Sequence, residues 1–328
     1  MNPVEHGEVF VTDDGDETDQ DMGNYERFLE ADLTSTNYMT TGRVYQTVIE
    51  KERNLEYKGK CVEVVPHIPL EVIRRIKTAA QKAKADITMV EVGGTVGEYQ
   101  NILFLEAARM MHLEDSENVL FVLVSYLPVP KHLGEMKTKP TQYATRTLNS
   151  AGIHPDFIVC RGEQFMDKPR REKLSVFCNV KPEAVITAPD VSSIYEIPAL
   201  FESQDLSATI LKKFRMKPRE TDLIIWKRMV SVQVTAKLTV KIGVVGKYFA
   251  TGDYTLSDSY ISVIEALKAA AWSNKAKIQL DWINSEDFET DPRSISRLKD
   301  FDGVLVPGGF GTRGIEGIIA TIRYCREK

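Results

Sequence analysis

Apolar and polar positions alternate in blocks along most of this chain. From Cys61 onward, short apolar runs are separated by longer amphipathic stretches, and this pattern predicts βα units around a parallel sheet. The expected strands are CVEVV (61–65), ITMVEV (87–92), VLFVLVSYL (119–127) and DFIVC (156–160). The last two look buried on both faces, as in parallel sheets. The sequence therefore predicts a doubly wound, mostly parallel α/β domain, preceded by a strand in HGEVFV (6–11).

The regular alternation stops between 214 and 238 and then resumes. The interruption is polar, contains Lys217 and Pro218, and has a short helical pattern at 224–229; such a stretch is a candidate linker. Strands are then expected in TVKIGVVGKY, IQLDWI and GVLVP, with helices in SYISVIEALKAAA and IEGIIATIRYCREK. The prediction is a first domain at 1–215, a linker at 216–238 and a second α/β domain at 239–328.

Composition narrows the class of protein. The chain has 328 residues, 43% hydrophobic and 27% charged, with a formal net charge of -5. An acidic balance gives no general basic field for nucleic acid, so we expect no nucleic-acid partner. The four cysteines are far apart and suggest neither a zinc site nor a disulfide framework. No apolar run is long enough to span a membrane and the opening lacks a secretion signal, so we expect a cytoplasmic protein without a membrane partner.

A glycine loop follows one of the expected strands. In EVGGTVGEYQ (91–100), a strand ends at Glu91 and three glycines lead toward a helix. Ligands of open α/β sheets lie at the carboxyl ends of strands, and glycines let the backbone approach phosphate closely. A tight strand-to-helix turn is the alternative. The spacing is not GxGxxG, so no dinucleotide is indicated.

An acidic loop follows the first apolar stretch. It contains six carboxylates: Asp13, Asp14, Asp16, Glu17, Asp19 and Asp21. Carboxylate oxygens suit Mg²⁺, which takes one or two of them together with phosphate oxygens. Most of the six are expected to be solvated residues of a turn around Asp14 and Gly15. One of them together with Glu91 would suffice for a metal.

Two further loops carry candidate chemistry. In GEMKTKPTQ (134–142), Lys137 and Lys139 precede a predicted helix, where ammonium groups and free backbone N–H groups can bind phosphate together. A solvated lysine pair is the alternative. In VPGGFGTRG (306–314), four glycines fall within seven residues. Backbone N–H groups on such a loop can form an oxyanion hole. A flexible turn is the alternative, but four glycines are entropically costly in a mere connection, so a functional loop is favoured.

Seven segments resemble the CTP synthase family in order and spacing: HGEVFVTDDGDETDQDMGNYERF, TTGRVYQTVIEKER, EVGGTVGEYQN, GEMKTKPTQ, REKLSVFCNV, DVSSIYEIPALF and PGGFGTRGIEG. The resemblance covers nearly the whole chain. It implies a P-loop-like amidoligase domain followed by part of a class I glutamine amidotransferase domain. It also implies ATP-dependent amination of UTP to CTP through a 4-phosphorylated UTP, with ammonia from glutamine.

The resemblance implies roles for particular residues. Mg²⁺ would be held by Asp21 and Glu91. ATP would contact Asp21, Arg161 and Asp190. UTP or CTP would contact Lys137, Lys139, Gln142, Lys173, Glu98 and Gln100, with Lys173 supplied by a neighbouring subunit. Ammonia would enter through a constriction at Pro3, His6 and Val9. The oxyanion loop of the glutaminase would be Gly308, Gly309, Phe310 and Gly311. A homotetramer, GTP as activator and CTP as feedback inhibitor are also implied.

The chain departs from the family pattern in three places. Gln100 stands where many family members carry a glutamate near the ribose of the product, which weakens the expectation of feedback inhibition by CTP, although Glu98 can still contribute. No GxxxxGK[ST] phosphate loop occurs, and the family's nucleophilic cysteine has no counterpart; Cys325, in a helical pattern, is expected to pack as a small apolar group. We therefore interpret the chain as a central fragment that has neither synthetase nor glutaminase activity alone. A non-catalytic paralogue that assembles with a full-length partner is the alternative; a dethiobiotin- or cobyrinate-type amidoligase is disfavoured by the whole-chain match.

Overall fold

The computed structural model of the protein describes residues 7–248, 250–251, 254–255 and 257–328. The chain divides into two compact units. Residues 1–38 and 228–328 belong to one, which we call the terminal unit, and residues 39–227 form the other, the central unit. In the described ranges, no helix is both long and apolar enough to cross a membrane.

The strands of the described residues are β1 (Phe10–Val11), β2 (Glu17–Thr18), β3 (Val122–Tyr126), β4 (Phe157–Gly162), β5 (Val185–Pro189), β6 (Leu238–Gly246), β7 (Ala250–Thr251), β8 (Tyr254–Thr255), β9 (Ala276–Asn284) and β10 (Gly303–Leu305). They have two to six residues, except β6 and β9 of the terminal unit, which have nine each.

The helices lie before, between and after these strands. They are α1 (Asp21–Leu29), α2 (Thr41–Arg53), α3 (Val64–Ala83), α4 (Ile102–Glu114), α5 (Lys139–Ser150), α6 (Lys168–Cys178), α7 (Ile197–Glu202), α8 (Leu206–Lys213), α9 (Ile224–Thr235), α10 (Ile261–Ser273), α11 (Glu286–Thr290) and α12 (Ile315–Glu327).

The sheet of the central unit is parallel, in the order β3-β4-β5. Its middle strand, β4, is apolar at successive positions because both faces are covered. Phe157 packs with Leu206 of α8, whereas Ile158 packs with Leu148 of α5 and Leu174 of α6. Helices on both faces of a parallel sheet define the doubly wound class. The predicted fold class is therefore confirmed for this unit.

Two predicted strands do not form. Residues 87–92 are irregular, and Met89 is 94% exposed. In CVEVV, α3 begins at Val64 instead; Pro66 follows, and a proline cannot donate to a strand ladder but fits a helix start. β3 is consequently an end strand, and Val124 on one of its faces is 61% exposed. The prediction that β3 is buried on both faces was wrong, because neither segment pairs with it.

Three helices form a second core in the central unit. Buried apolar side chains from α2, α3 and α4 pack together there: Val44, Val48, Ile68, Val72, Ile73 and Ala107. One carboxylate, that of Glu71, is buried beside this core. It is paired with three cations, Lys51, Arg74 and Arg75. A buried charge without such partners would be very costly.

The sheet of the terminal unit is also parallel, in the order β10-β6-β9. Successive residues of β6 point to opposite faces. Val244 therefore packs with Tyr260 on one face, and Val245 packs with Ile283 and Phe288 on the other. The predicted second α/β region is thus parallel as well, and the carboxyl ends of β6 and β10 lie side by side.

Candidate functional site

Two predicted ATP residues meet at the carboxyl edge of the central sheet. Arg161 is the second-to-last residue of β4, and Asp190 directly follows β5, the neighbouring strand. The Arg161 guanidinium lies 3.4 Å from an Asp190 carboxylate oxygen, and both side chains are exposed. The backbone N–H of Asp190 donates to the carbonyl of Gly162 at 2.8 Å. The pair is therefore exposed at this edge of the sheet; its contact with ATP stays a prediction.

The predicted phosphate-binding lysines lie on the connection from β3 to α5. Lys139 is the first residue of α5, and Lys137 is fixed two residues earlier by its N–H, which donates to the carbonyl of Pro128 at 2.9 Å. The Gln142 amide donates to the Thr138 hydroxyl at 3.0 Å. Lys137, Lys139 and Gln142 are therefore brought together at one helix start, where backbone N–H groups and positive charges favour an anion.

A carboxylate holds the Lys137 ammonium in this state. Lys137 Nζ lies 2.6 Å from a Glu135 oxygen, and Arg170 of α6 lies 3.4 Å from the other oxygen. The hydrogen bond from Lys137 lowers the pKa of Glu135, helped by the charges of Lys137 and Arg170. Arg170 also donates to the carbonyl of Met136 at 3.0 Å. The Glu135 carboxylate is thus shared by two cations, Lys137 of the loop and Arg170 of α6.

Arg170 was not among the residues singled out from the sequence. It lies in the first turn of α6, in the stretch KPRREK, so the available signal was a run of basic residues at a helix start. Lys173, which was predicted, lies on the same helix and is exposed. Because α6 packs beside α5, Arg170 reaches the lysine loop within one chain, whereas Lys173 was expected to serve a neighbouring subunit.

The glycine loop after Glu91 has a defined conformation. Gly94 and Gly97 have φ of 85° and 96°, a region that only glycine adopts without strain. The side chain of Asn101 closes the loop, donating to the carbonyls of Gly93 at 3.3 Å and Thr95 at 2.9 Å. The predicted residues Glu91, Glu98 and Gln100 are exposed on this loop. The Asn101 side chain fixes the loop, and the exposed carboxylates of Glu91 and Glu98 can offer oxygen ligands to a metal ion.

The acidic loop of the terminal unit divides into structural and candidate residues. Asp14 accepts hydrogen bonds from the Ser35 N–H and hydroxyl and from the Thr12 hydroxyl, which lower its pKa to about 2. Asp14 is therefore part of the turn, as most of the six were expected to be.

Asp21, the first residue of α1, has a different environment. Partial burial and the carboxylates of Asp19 and Asp258 raise its pKa above the ordinary value. A cation beside Asp21 would relieve this repulsion, so the donor chemistry fits Mg²⁺. Within the described residues, no three His, Cys, Asp or Glu side chains are grouped as a complete metal site. Asp21 belongs to the terminal unit and Glu91 to the central unit, and their sharing of one ion stays a prediction.

The predicted ammonia constriction is described only in part. Pro3 and His6 lie outside the described residues, whereas Val9 is half-buried just before β1. The neighbouring Glu8 donates its N–H to the carbonyl of Asp258 at 2.9 Å. The segment with Val9 is therefore attached to the turn that leads into α10.

The predicted oxyanion loop follows β10 and lies next to the end of β6. Gly308 to Gly311 are exposed, Phe310 is 94% exposed, and Gly311 has a φ of 83°. Two residues that follow β6 contact this loop, Lys247 and Tyr248. Neither was predicted. The signal was present in the sequence, since a polar pair directly after the strand IGVVG must lie at the same sheet edge.

Cys325 differs from its predicted environment. It lies on α12 and is exposed, not packed as a small apolar group. Desolvation raises the pKa of its thiol. That Cys325 is not the nucleophile stays a prediction.

Comparison with protein families decides the assignment. The family described as CTP synthase N-terminus matches residues 1–216, and the family described as glutamine amidotransferase class-I matches residues 255–328. The chain belongs to the CTP synthase family. The resemblance stated from seven segments is thereby confirmed, as is the order of an amidoligase domain before an amidotransferase domain.

Curated relatives named CTP synthase match over the full chain. The chain is 49% identical to the Pyrococcus furiosus protein and 50% identical to the Pyrococcus abyssi protein, each over 328 residues. It is 45% identical over 329 residues to the protein of Trichormus variabilis. All of this chain, but only 59% of each relative, is covered. The domain boundaries at 215 and 239 and the roles of single site residues stay predictions.

Proposed function

We propose that this chain is the central part of a CTP synthase, a ligase that aminates UTP to CTP with ATP and with ammonia from glutamine. The observation that supports the proposal is that the lysine loop and the pair Arg161 and Asp190 belong to the carboxyl ends of neighbouring strands. The lysine loop comes after β3, Arg161 lies near the end of β4, and Asp190 follows β5, all in one parallel sheet. Ligands of open α/β sheets bind at such an edge.

The lysine loop is proposed to bind the triphosphate of UTP. Lys137 and Lys139 would supply charge, Gln142 would supply an amide, and the free N–H groups at the start of α5 would add to the attraction for the same anion. Lys137 must first exchange Glu135 for phosphate. Lys173 from a neighbouring subunit of a homotetramer is proposed to complete the site. Glu98 and Gln100 are proposed to contact UTP, or CTP when it acts as feedback inhibitor.

The ATP site is proposed to contain Arg161, Asp190 and Asp21. A planar guanidinium can lie against an adenine ring. The Arg161 side chain is exposed, so an adenine could reach it. Asp21 and Glu91 would hold Mg²⁺. The bound ion would neutralise charge on the ATP phosphates during phosphoryl transfer.

The proposed reaction needs these parts because the oxygen at C4 of uracil is a poor leaving group. Transfer of the γ-phosphoryl group of ATP to that oxygen converts it into departing phosphate. Ammonia then attacks C4, forms the C–N bond and loses a proton as phosphate leaves. An enclosed site keeps water from attacking the activated carbon. The side chains of the lysine loop hold the substrate for both steps.

Ammonia is proposed to come from glutamine at the loop Gly308 to Gly311, whose backbone N–H groups would stabilise an oxyanion. It would then pass the constriction at Pro3, His6 and Val9. GTP is proposed as the activator of this half-reaction. The chain spans 59% of the curated relatives, and we expect it to show neither half-reaction alone.

Nucleotide binding tests the proposal on the chain as it stands. UTP is titrated into the wild type and into Lys139→Ala by calorimetry. Loss of a charged hydrogen bond of about 1.5–3 kcal/mol predicts roughly tenfold or more weaker binding for the variant. Lys131→Ala is the matched control, since Lys131 is an exposed lysine of the same connection. Equal weakening by both variants, or absence of UTP binding to the wild type at millimolar concentration, would overturn the proposal.

A further inference from the structure

Two adjacent side chains hold three backbone atoms of the glycine loop after β10. The Tyr248 hydroxyl accepts a hydrogen bond from the Phe310 N–H at 2.8 Å and donates to the Phe310 carbonyl at 3.0 Å. The Lys247 ammonium donates to the Gly311 carbonyl at 2.9 Å. We call these contacts the Lys247–Tyr248 clamp. All of its residues belong to the terminal unit.

The tyrosine of the clamp is itself fixed. The Ser259 hydroxyl donates to the Tyr248 carbonyl at 3.1 Å. The rings of Tyr248 and Tyr260 are stacked, with centroids 5.9 Å apart and an interplanar angle of 29°. The Tyr260 hydroxyl accepts the Lys247 N–H at 3.4 Å. Because both the backbone and the ring of Tyr248 are held, its hydroxyl loses little conformational entropy when it binds the loop.

The lysine of the clamp is buried and packs against the loop. Lys247 is only 3% exposed, and its stem lies under Gly309, where an added Cβ would be 2.7 Å from Lys247 Cε. A buried ammonium needs polar partners because desolvation is costly. The Gly311 carbonyl is one such partner. A side chain at position 309 would therefore have to displace the end of the lysine stem.

The clamp divides the amides of the loop into two kinds. The Phe310 N–H is already bonded to Tyr248. In the part of the chain that the structure describes, the N–H groups of Gly308 and Gly309 have no acceptor. A loop with four glycines is entropically costly to order, and an oxyanion site requires donors that are ordered before the charge develops.

We propose that Lys247 and Tyr248 are positioning residues that order the glycine loop, so that the amides of Gly308 and Gly309 are left to bind an oxyanion. The oxyanion role rests on the proposed function, in which the loop serves glutamine hydrolysis. The clamp itself does not. It assigns the second half of the loop to structure and the first half to ligand binding.

Amide exchange with water tests the clamp directly. In Tyr248→Phe, which keeps the stacked ring and removes only the hydroxyl, exchange of the Phe310 N–H measured by NMR should rise roughly fivefold to tenfold, the factor that one net hydrogen bond gives. The melting temperature should stay close to that of the wild type. Tyr143→Phe is the control, since this tyrosine is exposed and lies in the central unit.

Two further measurements keep the test decisive if Tyr248→Phe folds poorly. In the wild type, the Phe310 amide should exchange more slowly than those of Gly308 and Gly309. In Lys247→Met, which keeps an unbranched stem, the carbonyl ¹³C resonance of Gly311 should shift. Unchanged exchange at Phe310 in Tyr248→Phe, equal exchange of the three amides, or an unmoved Gly311 carbonyl would overturn the inference. None of these measurements needs a substrate. The clamp can therefore be refuted while UTP binding is confirmed, and UTP binding can be refuted while the clamp is confirmed.

Discussion

The backbone N–H of Ser262 donates to the carboxylate of Glu8 at 3.0 Å, across 254 positions of sequence. The Ser262 hydroxyl donates to the other carboxylate oxygen. Ser262 is the second residue of α10, so Glu8 accepts at the N-terminus of that helix, where negative charge is favourable. The segment that carries Val9 of the proposed constriction is thereby fixed to the helix that follows Ser259 and Tyr260, the residues that hold Tyr248 of the clamp.

The first prediction concerns this contact. Glu8→Gln should destabilise the terminal unit by about 0.5–2 kcal/mol, the usual loss for a helix-capping interaction. Hydrogen exchange should increase at the Ser262 amide, because an amide oxygen is a weaker acceptor than a carboxylate. Glu17→Gln, at an exposed position of β2, should change neither. Equal exchange at Ser262 in the wild type and Glu8→Gln would contradict the prediction.

The sequence predicted some of the strands that pair but missed β5, whose apolar run VITAP was not identified as a strand. Runs in β4, β6, β9 and β10 are apolar and pair in parallel as expected. The runs at 61–65 and 87–92 are equally apolar but form no strand, because strand formation depends on a neighbouring strand as well as on local pattern. Pro66 was the one local signal against the first of them.

The candidate site was predictable to the extent that topology determines it. Arg161 and Asp190 lie at the carboxyl ends of adjacent parallel strands, so their proximity follows from strand order. The strand before Asp190 was not predicted, however, and both residues were singled out only through the family resemblance. Arg170 could not be predicted in the same way, because its contact with Met136 depends on how α6 packs against the lysine loop. The clamp depends likewise on the register of β6 with β10.

The second prediction concerns a glycine in α12. A Cβ at Gly317 would lie 1.9 Å from the backbone carbonyl oxygen of Ser285. Gly317→Ala should therefore destabilise the terminal unit by about 1–3 kcal/mol or more, as overpacking does. Gly42→Ala is the control, because Gly42 lies in α2 with open space around it. This control should be neutral or stabilising by up to about 1 kcal/mol. Similar effects of the two changes on urea unfolding would refute the steric argument.

The third prediction separates binding from stability at Arg161. Its exposed pair with Asp190 should contribute at most about 1 kcal/mol, so Arg161→Met should unfold at nearly the wild-type urea concentration. ATP binding, followed by saturation-transfer NMR, should weaken roughly tenfold through loss of the guanidinium against the base. Arg215→Met removes a comparable exposed pair, with Glu117, and should leave ATP binding unchanged. Unchanged ATP affinity in Arg161→Met would remove this residue from the proposed site.

The fourth prediction concerns Glu71 and pH. Burial by itself would raise the pKa of this carboxyl, but hydrogen bonds from Arg74 and Lys51, with their charges, outweigh it and lower the pKa to about 2 from 4.5. A carboxyl with a lowered pKa in the folded state contributes stability above its unfolded pKa, and this stability is lost as pH falls. The free energy of unfolding of the central unit, measured by urea denaturation, should therefore fall as the pH is lowered from 4.5 to 2.

Substitution of Glu71 separates the effect of this buried carboxylate from that of other acidic groups. Glu71→Gln leaves the charges of Lys51, Arg74 and Arg75 without their carboxylate and should cost about 3–5 kcal/mol. It should also flatten the pH dependence of the unfolding free energy between pH 4.5 and 2. Glu114→Gln breaks an exposed pair with Lys77 on the neighbouring helices and should cost less than about 1 kcal/mol. If the two variants lost equal stability, or if the acid slope persisted in Glu71→Gln, the buried carboxylate would not be the group that stabilises this helical core.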